Sequence, residues 1–131
     1  MQKKIYLLGL IVIILIGTIY FLNKPKIKLI NSEEFNKLKN SENVFVLNTH
    51  TPYEGEIEGT DFIIEDWEHI ELYKNKLPED KNTRILVYCR SGRMADSAAE
   101  QLLDLGYKNV YNLKGGMNAW KANGRELIFN K

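Results

Sequence analysis

The sequence is short of cysteine, histidine and net charge, and each shortage closes a class of readings. One cysteine, Cys89, among 131 residues excludes an internal disulfide framework and any cysteine-rich metal site. The two histidines, His50 and His69, are too few and too isolated for a zinc centre, so neither a metal nor another cofactor is expected. Lys and Arg number 18 against 17 Asp and Glu, and leaving out Lys3 and Lys4 the rest of the chain carries 16 against 17. So even a balance has no electrostatic footprint for nucleic acid, which is excluded as a partner. No internal repeat or low-complexity segment is visible, and the length allows one domain with a modest core.

A long apolar run comes first. Residues 5–22 carry no charge. As a helix rising about 1.5 Å per residue they reach about 27 Å, near the lower limit for a hydrocarbon core of about 30 Å. Tyr6, Tyr20 and Phe21 lie at its ends, where amphipathic rings settle at headgroup level. A cleaved signal peptide needs small residues at its cleavage site, and Gly17-Thr18-Ile19-Tyr20-Phe21 offers no good one. A core helix would need a polar face, which this run lacks. The expected organisation is therefore a basic tail over 1–4, a transmembrane anchor over 5–22, a linker over 23–28 and a folded domain over 29–131. A lipid bilayer becomes one expected partner. Lys3 and Lys4 before the run nearly balance Lys24, Lys26 and Lys28 after it. A short positive tail tends to stay inside, which sets the domain on the extracytoplasmic side.

In the remainder, short apolar runs alternate with helical patterns. Strands are expected at 27–30, 44–47, 61–64, 84–88 and 109–113, each rich in β-branched, aromatic or aliphatic residues. A helix starts at Asn31 or Ser32, either of which can cap it, with Glu34 three places after Asn31. A second helix is expected over 66–76, with Trp67, Ile70, Leu72 and Tyr73 as its apolar side. A third runs from Arg93 to a left-handed cap at Gly106, and a fourth follows Gly115-Gly116. This alternation implies an α/β fold, a parallel sheet of about five strands with helices on both faces, preceded by one transmembrane helix. Cys89 falls where the central strand stops and the third helix begins. The helix N-terminus, Arg90 and Arg93 all favour a thiolate, which is the nucleophilic form. A lone cysteine at a strand end is also common packing, but two arginines and a glycine beside it tip the reading towards a reactive thiol.

Two segments give the chain a family likeness. Cys89-Arg90-Ser91-Gly92 followed by Arg93, together with Leu113-Lys114-Gly115-Gly116-Met117-Asn118-Ala119-Trp120, resembles the rhodanese family over about residues 27–124. The resemblance implies an enzyme, a sulfurtransferase working through a persulfide on Cys89. It implies thiosulfate or a persulfide as donor, and a thiol, an acceptor protein or cyanide as acceptor. The anion-binding loop would be Arg90, Ser91, Gly92, Arg93 and Met94, with Ser91 stabilising the turn. The chain also departs from the family. Asn48 stands for an acid, His50 for an arginine and Glu56 for a histidine, and Met94 takes the sixth loop position, where arginine is common. Asn48 and His50 are candidate auxiliary residues. His50 has the chemistry of an acid or base, and a structural role in its loop is as good a reading. Two other readings of the whole stand beside sulfur transfer. One is a membrane-tethered sulfur relay or binding module with little or no turnover. The other is a cysteine phosphatase, which would want arginine where Ala95 stands.

Overall fold

In the computed structural model, which describes residues 1–130, the chain opens with helix α1 (Gln2–Leu22) and β1 (Lys28–Ile30). There follow α2 (Ser32–Lys39), β2 (Val44–Asn48), β3 (Phe62–Ile63) and a 3-10 helix (Ile70–Lys76). The last elements are β4 (Arg84–Tyr88), α3 (Arg93–Asp104), β5 (Asn109–Leu113) and α4 (Gly116–Ala122). Lys131, the end of the expected domain, lies outside the described residues. The five strands form one parallel sheet in the order β1-β5-β4-β2-β3. Parallel neighbours need crossover connections, and helices in those crossovers cover both faces.

Alternation along the strands divides the core in two, because successive side chains leave a strand on opposite faces. On one face Ile85, Val87 and Cys89 pack with Ala95, Ala98, Ala99 and Leu102 of α3. On the other, Leu86 and Tyr88 pack with Phe35 of α2 and with Met117 and Trp120 of α4. The Phe35 ring meets Tyr88 and Trp120 edge-on, at centroid distances of 6.0 and 6.1 Å. The helix signals act as their chemistry requires. Asn31 Oδ1 accepts the Glu34 N–H at 2.9 Å, satisfying a donor that α2 leaves open. Gly106, at φ +96°, ends α3 and lets the Tyr107 N–H turn back to the Leu102 carbonyl.

Two expected elements are shorter than their patterns. The strand expected over 61–64 is only Phe62–Ile63, although the flanking Asp61 and Ile64 N–H groups still donate to the Val46 and Asn48 carbonyls at 2.9 and 2.8 Å; at the first end the Asp61 carboxylate accepts the Val46 N–H at 2.7 Å. A side chain thus takes the place of a ladder bond. The helix expected over 66–76 is a 3-10 helix from Ile70, broken at Tyr73 (φ −105°, ψ 16°), and Leu72 is exposed rather than inward. Here too a side chain displaces the ladder. The Gln101 amide accepts the Ile70 N–H at 2.9 Å and donates to the Trp67 carbonyl at 2.8 Å, while the Tyr73 hydroxyl accepts the Asp66 N–H at 3.0 Å. In an α-helix over 66–76 the Ile70 N–H and the Trp67 carbonyl would pair within the helix instead, with the Asp66 carbonyl and the Glu71 N–H.

None of α1 is buried, and it is long and apolar enough to cross a membrane, a test that a signal sequence also passes.

Gln101 therefore holds the 3-10 segment to α3. Gln101→Ala should lower stability by about 1–3 kcal/mol, since two half-buried backbone groups lose their partner. Urea unfolding of the full chain in detergent checks this, with faster exchange expected at the Ile70 amide. An unchanged midpoint would mean that water replaces both bonds.

Candidate active site

Tyr88 ends β4, and the chain turns at once into α3 through Cys89, Arg90, Ser91 and Gly92. Gly92 is the N-cap, at φ +113° in the left-handed region that favours glycine. Cys89 is 1% exposed, on the floor of this turn, and its Sγ accepts the Gly92 N–H at 3.0 Å. The Gly92 carbonyl accepts the Asp96 N–H at 2.9 Å and the Asn112 amide at 3.3 Å, and the same amide reaches Asp96 Oδ1 at 2.6 Å. The start of α3 is thereby fastened to β5.

The turn is held from below by α4. Met117 N–H donates to the Cys89 carbonyl at 2.8 Å, and Asn118 N–H to the Arg90 carbonyl at 3.0 Å. Gly116 makes this approach possible: a Cβ there would stand 2.3 Å from the Cys89 carbonyl oxygen and 2.7 Å from that of Arg90. In a planar trans peptide the N–H points opposite to the carbonyl. With both carbonyls drawn towards α4, the Arg90 and Ser91 N–H groups are turned the other way. Neither makes a backbone hydrogen bond among the described residues. Amides converging in such a turn form a concavity suited to an anion.

The other expected site residues are placed as follows. Arg90, Ser91 and Arg93 are exposed around the mouth of the turn, and Met94 is half-buried against the core face that holds Cys89. Ser91, expected to stabilise the turn, makes no side-chain hydrogen bond among the described residues; the tethers to α4 do that work. Arg93 has no ion pair among the described residues, whereas Arg90 Nη1 donates to Glu54 Oε1 at 3.3 Å. Asn48 is fully buried and shapes the neighbouring loop, its Oδ1 accepting the His50 N–H at 2.9 Å and its amide reaching the Gly55 carbonyl at 3.3 Å. His50 is buried, with Nε2 at 2.8 Å from Glu54 Oε2. A cleft of about 330 Å³ lies beside this loop, lined by His50, Tyr53, Ile63 and Glu65 among others, and Cys89 is not part of its wall. No cluster of three or more His, Cys, Asp or Glu side chains converges among the described residues in a way that could hold a metal.

Sequence reasoning missed Glu54 and the hydroxyl of Tyr88. Thr60 Oγ1 donates to the Ile57 carbonyl at 2.7 Å, so at the 2.6 Å contact between Thr60 and Tyr88 the tyrosine is the donor. Tyr88 in turn accepts the Ile57 N–H at 2.9 Å. Burial pushes its ionisation well above the ordinary tyrosine range, against the opposing pull of those bonds, and keeps it a donor. For Glu54 the only signal was its i, i+4 spacing from His50.

Comparison with known proteins finds relatives of the folded domain. A family model described as a Rhodanese-like domain matches residues 29–123. A protein of Allochromatium vinosum named as a sulfurtransferase is 31% identical over 103 residues, covering 76% of this chain and 92% of that relative. The thiosulfate sulfurtransferase GlpE of Coxiella burnetii is 46% identical over 52 residues, 40% of this chain and 49% of that protein. The match thus spans about half the length of the latter relative. The crystal structure of a Rhodanese-like domain protein from Staphylococcus aureus superposes with a TM-score of 0.60 at 28% identity, covering 76% of this chain and 97% of that one.

The close approach at Gly116 has a measurable consequence. Gly116→Ala forces a methyl group into a carbonyl and should destabilise the domain by about 2–4 kcal/mol. Gly106→Ala, where nothing stands within 4 Å, should show only the strain of its positive φ, about 1–2 kcal/mol. Equal losses in urea titrations of the two variants would refute the tether.

Proposed function

Since the chain belongs to the Rhodanese-like domain family, we propose that it is a membrane-anchored sulfurtransferase that moves sulfane sulfur through a persulfide on Cys89. The observation that carries this reading is the setting of the Cys89 sulfur. It lies at the carboxyl end of the central strand, receives the Gly92 N–H at 3.0 Å and sits in a turn whose carbonyls are tied away from it. The thiolate attacks the outer sulfur of thiosulfate or of a persulfide donor. The donor's S–S bond breaks, and sulfite or a thiolate leaves with the electron pair. An acceptor thiol, small or on a protein, then takes the outer sulfur as its thiolate and regenerates the Cys89 thiolate. The Arg90 and Ser91 N–H groups face the place where the negative outer sulfur of the persulfide would lie, so they stabilise the intermediate as they would an oxyanion.

Around the turn, Arg90 and Arg93 draw anionic donors. Met94 presents a thioether where the family commonly has a guanidinium, so a compact dianion lacks a charge partner there. A persulfide with an apolar body loses less. Asn48 and His50 shape the adjacent loop. A sulfur relay with little turnover of its own has one observation in its favour: Asn48, His50 and Glu56 stand where the family commonly has an acid, an arginine and a histidine. A phosphatase is disfavoured, because Ala95 is fully buried and leaves no guanidinium for phosphoryl oxygens.

We also assign α1 to the anchor. Its 21 residues rise about 31 Å, no part of it is buried, and Lys24 and Lys26 follow at the boundary. The domain is assigned to the extracytoplasmic side.

Two experiments test these readings. Incubated with thiosulfate or a low-molecular-weight persulfide, the parent should gain one sulfur atom on Cys89 by intact-mass analysis. Cys89→Ser should gain none while keeping its circular dichroism, and equal loading in both would end the proposal. Multiple turnover with a thiol acceptor separates an enzyme from a relay that loads once. For the anchor, the full chain should stay in the membrane fraction through carbonate washing. A soluble product with a new N-terminus near residue 20 would make α1 a signal sequence instead.

A further inference from the structure

The loop after β2 and the turn after β4 meet at one carboxylate. Glu54 Oε1 accepts from Arg90 Nη1 at 3.3 Å, and Glu54 Oε2 lies 2.8 Å from His50 Nε2. Each oxygen thus serves one side of the junction. The loop is well fixed. Thr49 bonds the Tyr88 carbonyl through its N–H at 2.9 Å and its hydroxyl at 3.1 Å, and Asn48 closes the segment as far as Gly55. His50 is 4% exposed, so the residue that braces Glu54 has little freedom to move. Of the two arginines at the mouth, Arg93 is unpaired among the described residues and Arg90 is taken.

We infer that Glu54 sets which sulfur donors the turn accepts, by occupying Arg90 and placing a carboxylate at the mouth that disfavours a dianionic donor relative to one of lower charge. The inference rests on the sulfur-transfer reading. Arg90 and Glu54 are 58% and 41% exposed, and an ion pair in such a position is weak enough to be displaced. Glu54 is therefore a bias on donor charge and not a block. Thiosulfate must approach beside the carboxylate or break the pair. A monoanion meets the same obstacle with half the charge.

Thiosulfate and benzenethiosulfonate make a matched pair for the test. With either, the Cys89 thiolate attacks the outer sulfur, the donor's S–S bond breaks, and sulfite or benzenesulfinate leaves with the electron pair. The two donors differ by one unit of charge. Glu54→Gln keeps the shape and an amide oxygen for Arg90 but removes the charge. Measured on the full chain in neutral detergent at low salt, it should raise the ratio of kcat/KM for thiosulfate over benzenethiosulfonate about threefold to tenfold, through KM. The gain should shrink towards parity at about 1 M salt, where screening reaches only about 3 Å. It should also shrink, without vanishing, in an Arg90→Gln background, because the part of the effect that acts through Arg90 is then gone. A second readout does not need sulfur transfer. Alkylation of Cys89 by iodoacetate, relative to neutral iodoacetamide, should rise in Glu54→Gln by a similar factor. An unchanged alkylation ratio, or an equal fall for both donors at all salt concentrations, would overturn the inference and make Glu54 a structural brace. If the alkylation ratio rises while no donor ever loads Cys89, the electrostatic role of Glu54 stands and the sulfur-transfer reading fails.

Discussion

Two hydrogen bonds from the start of α4 to the Cys89 and Arg90 carbonyls are the constraint on which the site depends. Individually such bonds contribute only about 1 kcal/mol. Their importance lies in direction: they decide which way two successive peptide planes face, and hence where the turn's N–H groups point. Gly116 permits them by having no side chain, and α4 is held in place by what it buries. Met117 and Trp120 fill one face of the core, the Trp120 indole N–H donates to the Glu126 carbonyl at 3.0 Å, and the Arg125 guanidinium lies 5.0 Å from the Trp120 ring. The cysteine side chain, meanwhile, packs on the other face. One residue is thus positioned by both halves of the core at once.

Tyr88 completes that arrangement from the preceding position. Its ring faces away from the Cys89 side chain into the α2 and α4 side, between Phe35 and the sheet. Its hydroxyl is spent on Ile57 and Thr60, and its carbonyl on Thr49. The segment from Thr49 to Thr60, which holds no helix or strand beyond a single bridge from Glu56 to Ile128, is therefore registered against the strand that leads into the thiol. This is why a loop thirty-six residues away in sequence can present Glu54 to Arg90.

Most of the frame was legible because local chemistry and tertiary structure agree in it. β-branched and aromatic runs became the central strands, Asn31 started α2 and Gly106 closed α3 as such residues do, and Gly115-Gly116 turned the chain into α4. The fold of residues 66–76 was not legible, since apolar spacing cannot reveal that a distant glutamine will take the backbone bonds of the first turn. For the same reason pattern alone reads Asp61 as part of β3, whereas its carboxylate takes the Val46 N–H where that strand begins. At the site the sequence pointed to the cysteine turn and its arginines but not to the partner of Arg90. That pairing arises from the adjacency of β2 and β4, and single-sequence periodicity carries no strand order. The same ignorance explains why Ser91 looked like a turn stabiliser: the true fastening comes from backbone amides of another element.

The strand order also bears on how the molecule comes into being. β1 is the first strand made and β5 the last, yet they are neighbours in the sheet, and the turn at Cys89 is fastened by amides of residues 117 and 118. A chain emerges from the ribosome in sequence order. Until β5 is out, β1 has no partner, and until α4 follows, the turn at Cys89 lacks its tethers. Contacts of such long sequence separation also form slowly. The thiol therefore cannot acquire its full setting before residues 117 and 118 have been made, well after α1 has emerged.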